Sequence, residues 1–224
     1  MYKYELHAHT SNCDKVARLS GAELVRAYAE QGYSGMVITD HCFSLFHDWY
    51  ADELAGMDHR QIVERWLQGY YSAREEGEKI GFTVLPGAEV RIDGTINDYL
   101  VYGLEEADFY RLPLLNRMAS IDEVMDILPD YTCVVHAHPF RENMTVRDPG
   151  RFFGIEVHNG GTDSFRNQLA KVWAEHYGKA MTSGSDCHGP WAVGKGGIIT
   201  ETPILTPTDL INTLQSGAYQ LIEP

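Results

Sequence analysis

The stretch Tyr2-Lys3-Tyr4-Glu5-Leu6-His7-Ala8-His9-Thr10 decides the reading of this chain. Tyr2 to Leu6 reads as a short strand, and two histidines separated by one residue follow it at once. In extended backbone, residues i and i+2 face the same side, so His7 and His9 aim two imidazoles into one space. A single pair of this kind is weak evidence, and its weight depends on whether the rest of the chain repeats the arrangement.

Working outward, six further apolar runs read as strands: Gly35 to Thr39, Thr83 to Val90, Tyr99 to Gly103, Cys133 to Ala137, Phe152 to Val157 and Lys179 to Ser183. Between them Ser20 to Gln31, Ile62 to Ile80, Ser120 to Leu128, Asp163 to Tyr177 and Thr206 to Gln215 have helical character. Ser20 with Glu23 three residues on has the form of a capping box. This alternation predicts an α/β fold with a mainly parallel sheet, either a barrel or a doubly wound sheet. No repeat or linker divides the chain, so residues 1–224 read as a single domain.

Ionisable residues recur at the same end of these strands. His7 and His9 follow the first, Asp40 and His41 the second, and Glu89 ends the third. Asp98 edges the fourth, His136 and His138 close the fifth, Glu156 and His158 the sixth, and Asp186 and His188 follow the seventh. Seven of the ten histidines thus lie where parallel α/β folds gather their active sites. Imidazoles mixed with carboxylates suit Zn, Mn or Fe in a catalytic role, whereas structural zinc sites are typically closed and cysteine-rich. The candidates exceed one coordination sphere, so two or three divalent transition-metal ions are expected, with Glu89 able to bridge a pair.

Composition narrows the partners. With 18 Lys and Arg against 32 Asp and Glu the net charge is −14, and no basic run is present, so no nucleic acid is expected as partner. Bound cations would invert the local field of an acidic cluster, leaving a small phosphorylated substrate possible. No stretch approaches the roughly 18 apolar residues of a membrane span, and residues 1–10 lack a signal-peptide core, so no membrane partner and a cytoplasmic location are expected. Cys13, Cys42, Cys133 and Cys187 show no paired spacing and read as free thiols.

His7-Ala8-His9-Thr10, Asp40-His41, Gly87-Ala88-Glu89, Ala137-His138-Pro139 and Gly184-Ser185-Asp186-Cys187-His188, in this order, resemble the motifs of the PHP (polymerase and histidinol phosphatase) superfamily. Gly154-Ile155-Glu156-Val157 and Gly194 resemble further recurrent positions. The resemblance implies a distorted seven-stranded α/β barrel of TIM-like form holding up to three metals, and phosphoesterase activity. It gives the first metal His7, His9, Glu89 and Asp186, the second Glu89 and His138, and the third His41 and His188. Asp98 stands where many members have a histidine ligand for the second metal, and Asp14 is a further ligand candidate for the third.

The activity implied is hydrolysis of a small phosphate monoester, such as a sugar phosphate, histidinol phosphate or nucleotide, by water whose pKa a metal lowers. Arg141 is the first choice for holding the phosphate, with Lys195 and Arg18 behind it. His136 and His158 are candidates for orienting ligands or protonating the leaving oxygen. The aromatic segment Phe43 to Met57 is a candidate lid with His47 pointing inward. The alternatives are an amidohydrolase-like enzyme acting on C–N bonds and a non-catalytic PHP module.

Overall fold

The computed structural model describes residues 1–224. The opening stretch enters the fold as β1 (Tyr2–Glu5), with Tyr4 and Leu6 buried on one side of the strand. A loop leads to α1 (Gly21–Glu30), whose N-terminus carries the expected box: Ser20 and Glu23 each bond the other's backbone amide. Next come β2 (Gly35–Ile38), β3 (His41–Cys42) and the short helices α2 (Ser44–Trp49) and α3 (Ala51–Leu54). The helix expected from Ile62 to Ile80 starts earlier, because Asp58 and Gln61 form a second capping box, and it breaks at Leu67 into α4 (His59–Trp66) and α5 (Gln68–Ile80).

The run from Thr83 to Val90 is two strands, β4 (Thr83–Pro86) and β5 (Ala88–Val90). Pro86 and Gly87 mark the break, where the chain leaves β2 for a different partner. Then follow β6 (Tyr99–Tyr102), α6 (Glu106–Arg111), α7 (Ile121–Ile127), β7 (Cys133–His136), β8 (Gly154–Asn159), α8 (Ser164–Tyr177) and β9 (Ala180–Gly184). The chain ends with β10 (Ile198–Thr200), α9 (Pro207–Ser216) and β11 (Tyr219–Leu221).

The seven-stranded barrel is not what forms. Eleven strands make two sheets, in the orders β11-β10-β1-β2-β4 and β3-β5-β6-β7-β8-β9, and they do not close into a ring. Pairing is mixed. β1, β2 and β4 run parallel, as do β7, β8 and β9, but β6 is antiparallel to both neighbours. The cause is loop length: only residues 91–98 join β5 to β6, whereas a parallel crossover needs about a dozen or more.

The sheets are joined where the ligand candidates lie. Past β1, Ala8 bridges Cys187, with His9 N–H donating to the Cys187 carbonyl at 3.1 Å and Cys187 N–H to that of His7 at 3.2 Å. On the other side Thr39 N–H donates to the Ala8 carbonyl at 3.0 Å. Beneath this seam Tyr4, Leu6, Val37 and Leu85 of one sheet meet Leu100, Tyr102 and Val135 of the other, with Leu210, Ile211 and Leu214 of α9. A larger cluster packs α1, α4 and α5 outside the first sheet. No helix is long and apolar enough to cross a membrane.

Within residues 43–57, Phe43, Phe46 and Leu54 are buried, Phe46 and Leu54 in the core cluster with Val63 and Trp66, and the residues between them are largely exposed. His47 lines an apolar cavity with Phe46, Ile62 and Phe109. Phe43 is the residue of this segment that touches a ring of the histidine cluster, stacking on His41 at 4.5 Å between centroids.

Candidate metal centre

The seam brings His7, His9, His41, Glu89, His138, Asp186 and His188 into one cluster, and all but His188 are buried. Glu89 stands at its centre because β5 pairs β3 on one side and β6 on the other. Its Oε1 lies 2.9 Å from His138 Nε2 and 3.3 Å from His7 Nε2, and its Oε2 3.0 Å from His41 Nε2 and 3.4 Å from His9 Nε2. Asp186 Oδ1 lies 3.2 Å from His9 Nε2 and 3.5 Å from His7 Nε2. Asp14 Oδ2 contacts His41 Nδ1 and lies 3.9 Å from His188 Nε2.

Four buried atoms that face one another here have no hydrogen-bond partner: His7 Nε2, His9 Nε2, Glu89 Oε2 and Asp186 Oδ1. An unpartnered buried polar atom costs about 1–3 kcal/mol, so four converging ones fit a cation held between them. Ligand atoms of His9, Asp14, His41 and His188 also lie within coordination reach of one another, as do those of His7, His138 and Asp186 and of Glu89, Asp98 and His138. Nitrogen and oxygen donors of this mixture suit a divalent transition metal.

The electrostatics follow from burial and mutual contact. Burial, with His41 and His188 beside it, pushes His9 down to about 3, so its imidazole stays neutral with a free lone pair. Burial opposes charge on His41 too, but Glu89 and Asp14 outweigh it and push it up to about 10. Glu89 is held well below the usual carboxylate range against its burial by His7, His41 and His138. His138 and Asp186 also adopt left-handed backbone, with φ of 26° and 48°. Residues other than glycine rarely sit there, and such strain gathers at functional sites.

A supporting layer orients these groups. Glu156 Oε1 lies 2.8 Å from His7 Nδ1, and its Oε2 accepts from His138 N–H at 3.0 Å. Asn159 Nδ2 donates to Glu156 at 2.9 Å and to Asp186 at 3.3 Å. Glu5, fully buried, accepts from the N–H groups of Leu6, His7 and Ser185, tying β1 to the loop that carries Asp186. Asp40 accepts from Thr10 N–H and Oγ1 at 2.6 and 2.8 Å, and burial pushes its carboxyl up to about 7. Asp40 thus braces the loop after His9.

Among solved structures, the chain resembles a two-domain protein from Bacteroides vulgatus described as containing a predicted PHP-like metal-dependent phosphoesterase. Identity is 17% and the TM-score 0.64, over 99% of this chain and 64% of that one. An amidohydrolase from Chromobacterium violaceum matches at 16% identity and TM-score 0.57, over 97% of both chains. The lesion-specific endonuclease PfuEndoQ from Pyrococcus furiosus matches at 13% identity and TM-score 0.59, over 98% of this chain and 57% of that one. A family model described as PHP-associated matches residues 165–219, which include Asp186 and His188. The chain shares its fold with these proteins, the PHP-like one among them. None of the curated protein sequences matches the chain.

Set against the PHP pattern, His7, His9, Asp14, His41, Glu89, His138, Asp186 and His188 all reach the cluster. His158 does not. A register shift between Glu156 and His158 breaks the alternation of β8, so His158 turns outward to the Lys195 carbonyl at 2.8 Å and Asn159 takes the inward place. His136 is also outside, stacked on Tyr99 at 5.1 Å between centroids, with neither ring nitrogen bonded. Arg18 is exposed, and Lys195 lines a separate polar pocket with His158 and Lys171.

Arg141 lies at the mouth, its Nη2 2.8 Å from Asp98 and its Nη1 3.8 Å from Asp186. Asp98 is also gripped by Arg91, which donates Nε to Oδ1 and Nη2 to Oδ2, both at 2.6 Å. Sequence reasoning passed over Arg91, Asn159 and Glu5. Arg91 follows Glu89 by two residues on the same strand edge, and that spacing was the available signal.

Proposed function

We propose that the chain is a metal-dependent phosphoesterase acting on a small phosphate monoester. The observation that carries this reading is the convergence of four unpartnered donor atoms, His7 Nε2, His9 Nε2, Glu89 Oε2 and Asp186 Oδ1, at the joined end of two sheets. These residues would hold one divalent ion, Asp14, His41 and His188 a second, and Glu89, His138 and Asp98 are the remaining candidates, for two or three ions of Zn, Mn or Fe. Such ions supply Lewis-acid stabilisation of phosphoryl oxygens and lower the pKa of water.

The chain's own residues do the rest. Glu89 presents opposite oxygens to two groups of histidines, which suits it to a bridging place. Glu156 and Asn159 fix the orientation of His7 and Asp186. Arg141 offers guanidinium donors at the mouth, which suits it to orienting a phosphate for in-line attack. His158 is engaged by the Lys195 carbonyl rather than by the cluster, which argues against it as acid or base.

The similarity to an endonuclease and to an amidohydrolase supports a second reading, in which the scissile bond is a phosphodiester or a C–N bond. The net charge of −14 favours a small substrate over a polyanion. The deciding experiment loads the protein with Mn or Zn, measures bound metal, and assays phosphate monoesters, an oligonucleotide and amides side by side. Phosphate release chiefly from monoesters is expected; turnover of amides or oligonucleotides without it replaces the reading.

A further inference from the structure

We infer that Asp98 is the counterion of an arginine pair rather than a metal ligand, so that Arg91 and Arg141 together form a clamp for the substrate phosphate and the centre holds two ions. This rests on the reading above that the cluster holds divalent ions and hydrolyses a phosphate ester.

The argument begins with which oxygens are already in use. Asp98 Oδ1 accepts from Arg91 Nε at 2.6 Å, and Oδ2 accepts from Arg91 Nη2 at 2.6 Å and from Arg141 Nη2 at 2.8 Å. Neither oxygen is among the unpartnered buried atoms, in contrast to Glu89 Oε2 and Asp186 Oδ1. The distance from Asp98 Oδ2 to His138 Nε2 is 3.8 Å, against 2.9 Å from Glu89 Oε1 to the same nitrogen. A divalent ion on Oδ2 would lie beside two guanidinium charges and would have to displace a charge-assisted hydrogen bond. Without Asp98, the site shared by Glu89 and His138 has too few ligands of its own. His138 then joins His7 and Asp186, whose donor atoms lie within reach of it.

The arginines are placed to bind an anion. No other Lys or Arg pairs with a carboxylate of the cluster. Both are partly exposed, Arg91 at 27% and Arg141 at 33%, while Asp98 is fully buried between them. One carboxylate against two guanidiniums leaves a net positive charge at the mouth of an acidic site. Arg91 pairs edge-on through Nε and Nη2, so its Nη1 group is unspent, and Arg141 Nη1 is loosely held, 3.8 Å from Asp186. Two planar forks with spare donors match the oxygens of a phosphate. Arg91 is steadied by the ring of Phe43, 5.7 Å from its guanidinium carbon, and Phe43 in turn stacks on His41.

Two measurements test this. Wild type and Asp98→Asn are loaded with excess Mn or Zn, desalted and analysed for metal; two ions per chain are expected in both, and a third ion present in wild type but missing in Asp98→Asn overturns the inference. Inorganic phosphate is then titrated calorimetrically into wild type, Arg91→Ala and Arg141→Ala, with and without metal. Each substitution should weaken binding about tenfold or more, as for loss of a hydrogen bond between charged groups. Affinity unchanged in Arg91→Ala overturns the clamp, and because Arg91 is partly exposed this variant keeps the test open if Asp98→Asn fails to fold. If both measurements succeed and no phosphate ester is hydrolysed, the proposed reaction fails while the clamp stands. If wild type takes up no metal, the proposed function fails, and the clamp is judged on phosphate binding alone.

Discussion

Glu156 holds His7 by accepting a 2.8 Å hydrogen bond from Nδ1 at its Oε1, which turns the far nitrogen, Nε2, toward Glu89 and Asp186. Partners of this kind fix the ring of a ligating histidine, and losing one typically weakens metal binding about 10–100-fold. Glu156→Ala should show a loss of that size in competition against a metal-binding dye. Unchanged affinity would mean that His7 needs no orienting partner.

Glu89→Gln and Arg141→Ala should separate two roles by kinetics. Glu89→Gln should lower kcat by more than about a hundredfold, since it removes a central charge rather than a supporting contact, and bound metal should fall with it. Arg141→Ala should keep its metal and mainly raise KM, because a phosphate clamp binds ground state and transition state together. Wild-type kinetics in Arg141→Ala would return that residue to the surface.

Chelation should abolish hydrolysis and lower the melting temperature. An ion that binds the folded chain alone stabilises it by about 2.7 kcal/mol at a hundred times its Kd. Thermal melts with and without EDTA, followed by restoration with Mn or Zn, measure both effects. A metal-free protein that remains fully active would falsify the metal-centre reading.

His158→Ala should leave kcat within about twofold, the range of an ordinary surface change. Asn159→Ala should lower it substantially, because Asn159 contacts Glu156 and Asp186 while His158 contacts a backbone carbonyl away from the cluster. Steady-state assays of the two neighbours in parallel decide the point. The reverse order of effects would show that His158 acts in the chemistry after all.

Gly69→Ala should destabilise the protein by about 1–3 kcal/mol, read from the urea midpoint. In an open helix the same change would stabilise by up to about 1 kcal/mol. Here an added Cβ would lie 2.0 Å from Thr10 Oγ1 and 2.1 Å from Asp40 Oδ2, the pair that braces the loop after His9. A gain in stability would show that this contact yields easily.

The ligand candidates on regular strand ends were legible from alternation alone. His7 and His9 flank Ala8 as extended backbone requires, whereas Asp186, with a φ of 48°, is placed by the loop that follows β9. The same rule misled where the backbone leaves that geometry. His136 and His138 diverge because His138 has a φ of 26°, and His158 yields its place to Asn159 because β8 is bulged. Bulges and left-handed residues depend on partners far away in the chain, and nothing local at Val157 or Ala137 announces them. The direction of β6 was hidden for a related reason: the short link of residues 91–98 forbids a crossover, and strand count cannot reveal a reversal.

That reversal has a consequence for how the site can change. A strand running the other way brings its beginning, not its end, to the rim, so Asp98 precedes β6 and still arrives beside His138. Two loops therefore stand side by side there, residues 91–98 entering β6 and residues 137–153 leaving β7, pinned together by Asn97 and Thr145 at 2.7 and 2.8 Å. One contributes Arg91 and the other Arg141. Insertions in either loop away from Asp98 and His138 would reshape what the mouth admits while the sheets and the cluster beneath stay as they are, because each loop is anchored by its own strand and tied to the other only through Asn97 and Thr145.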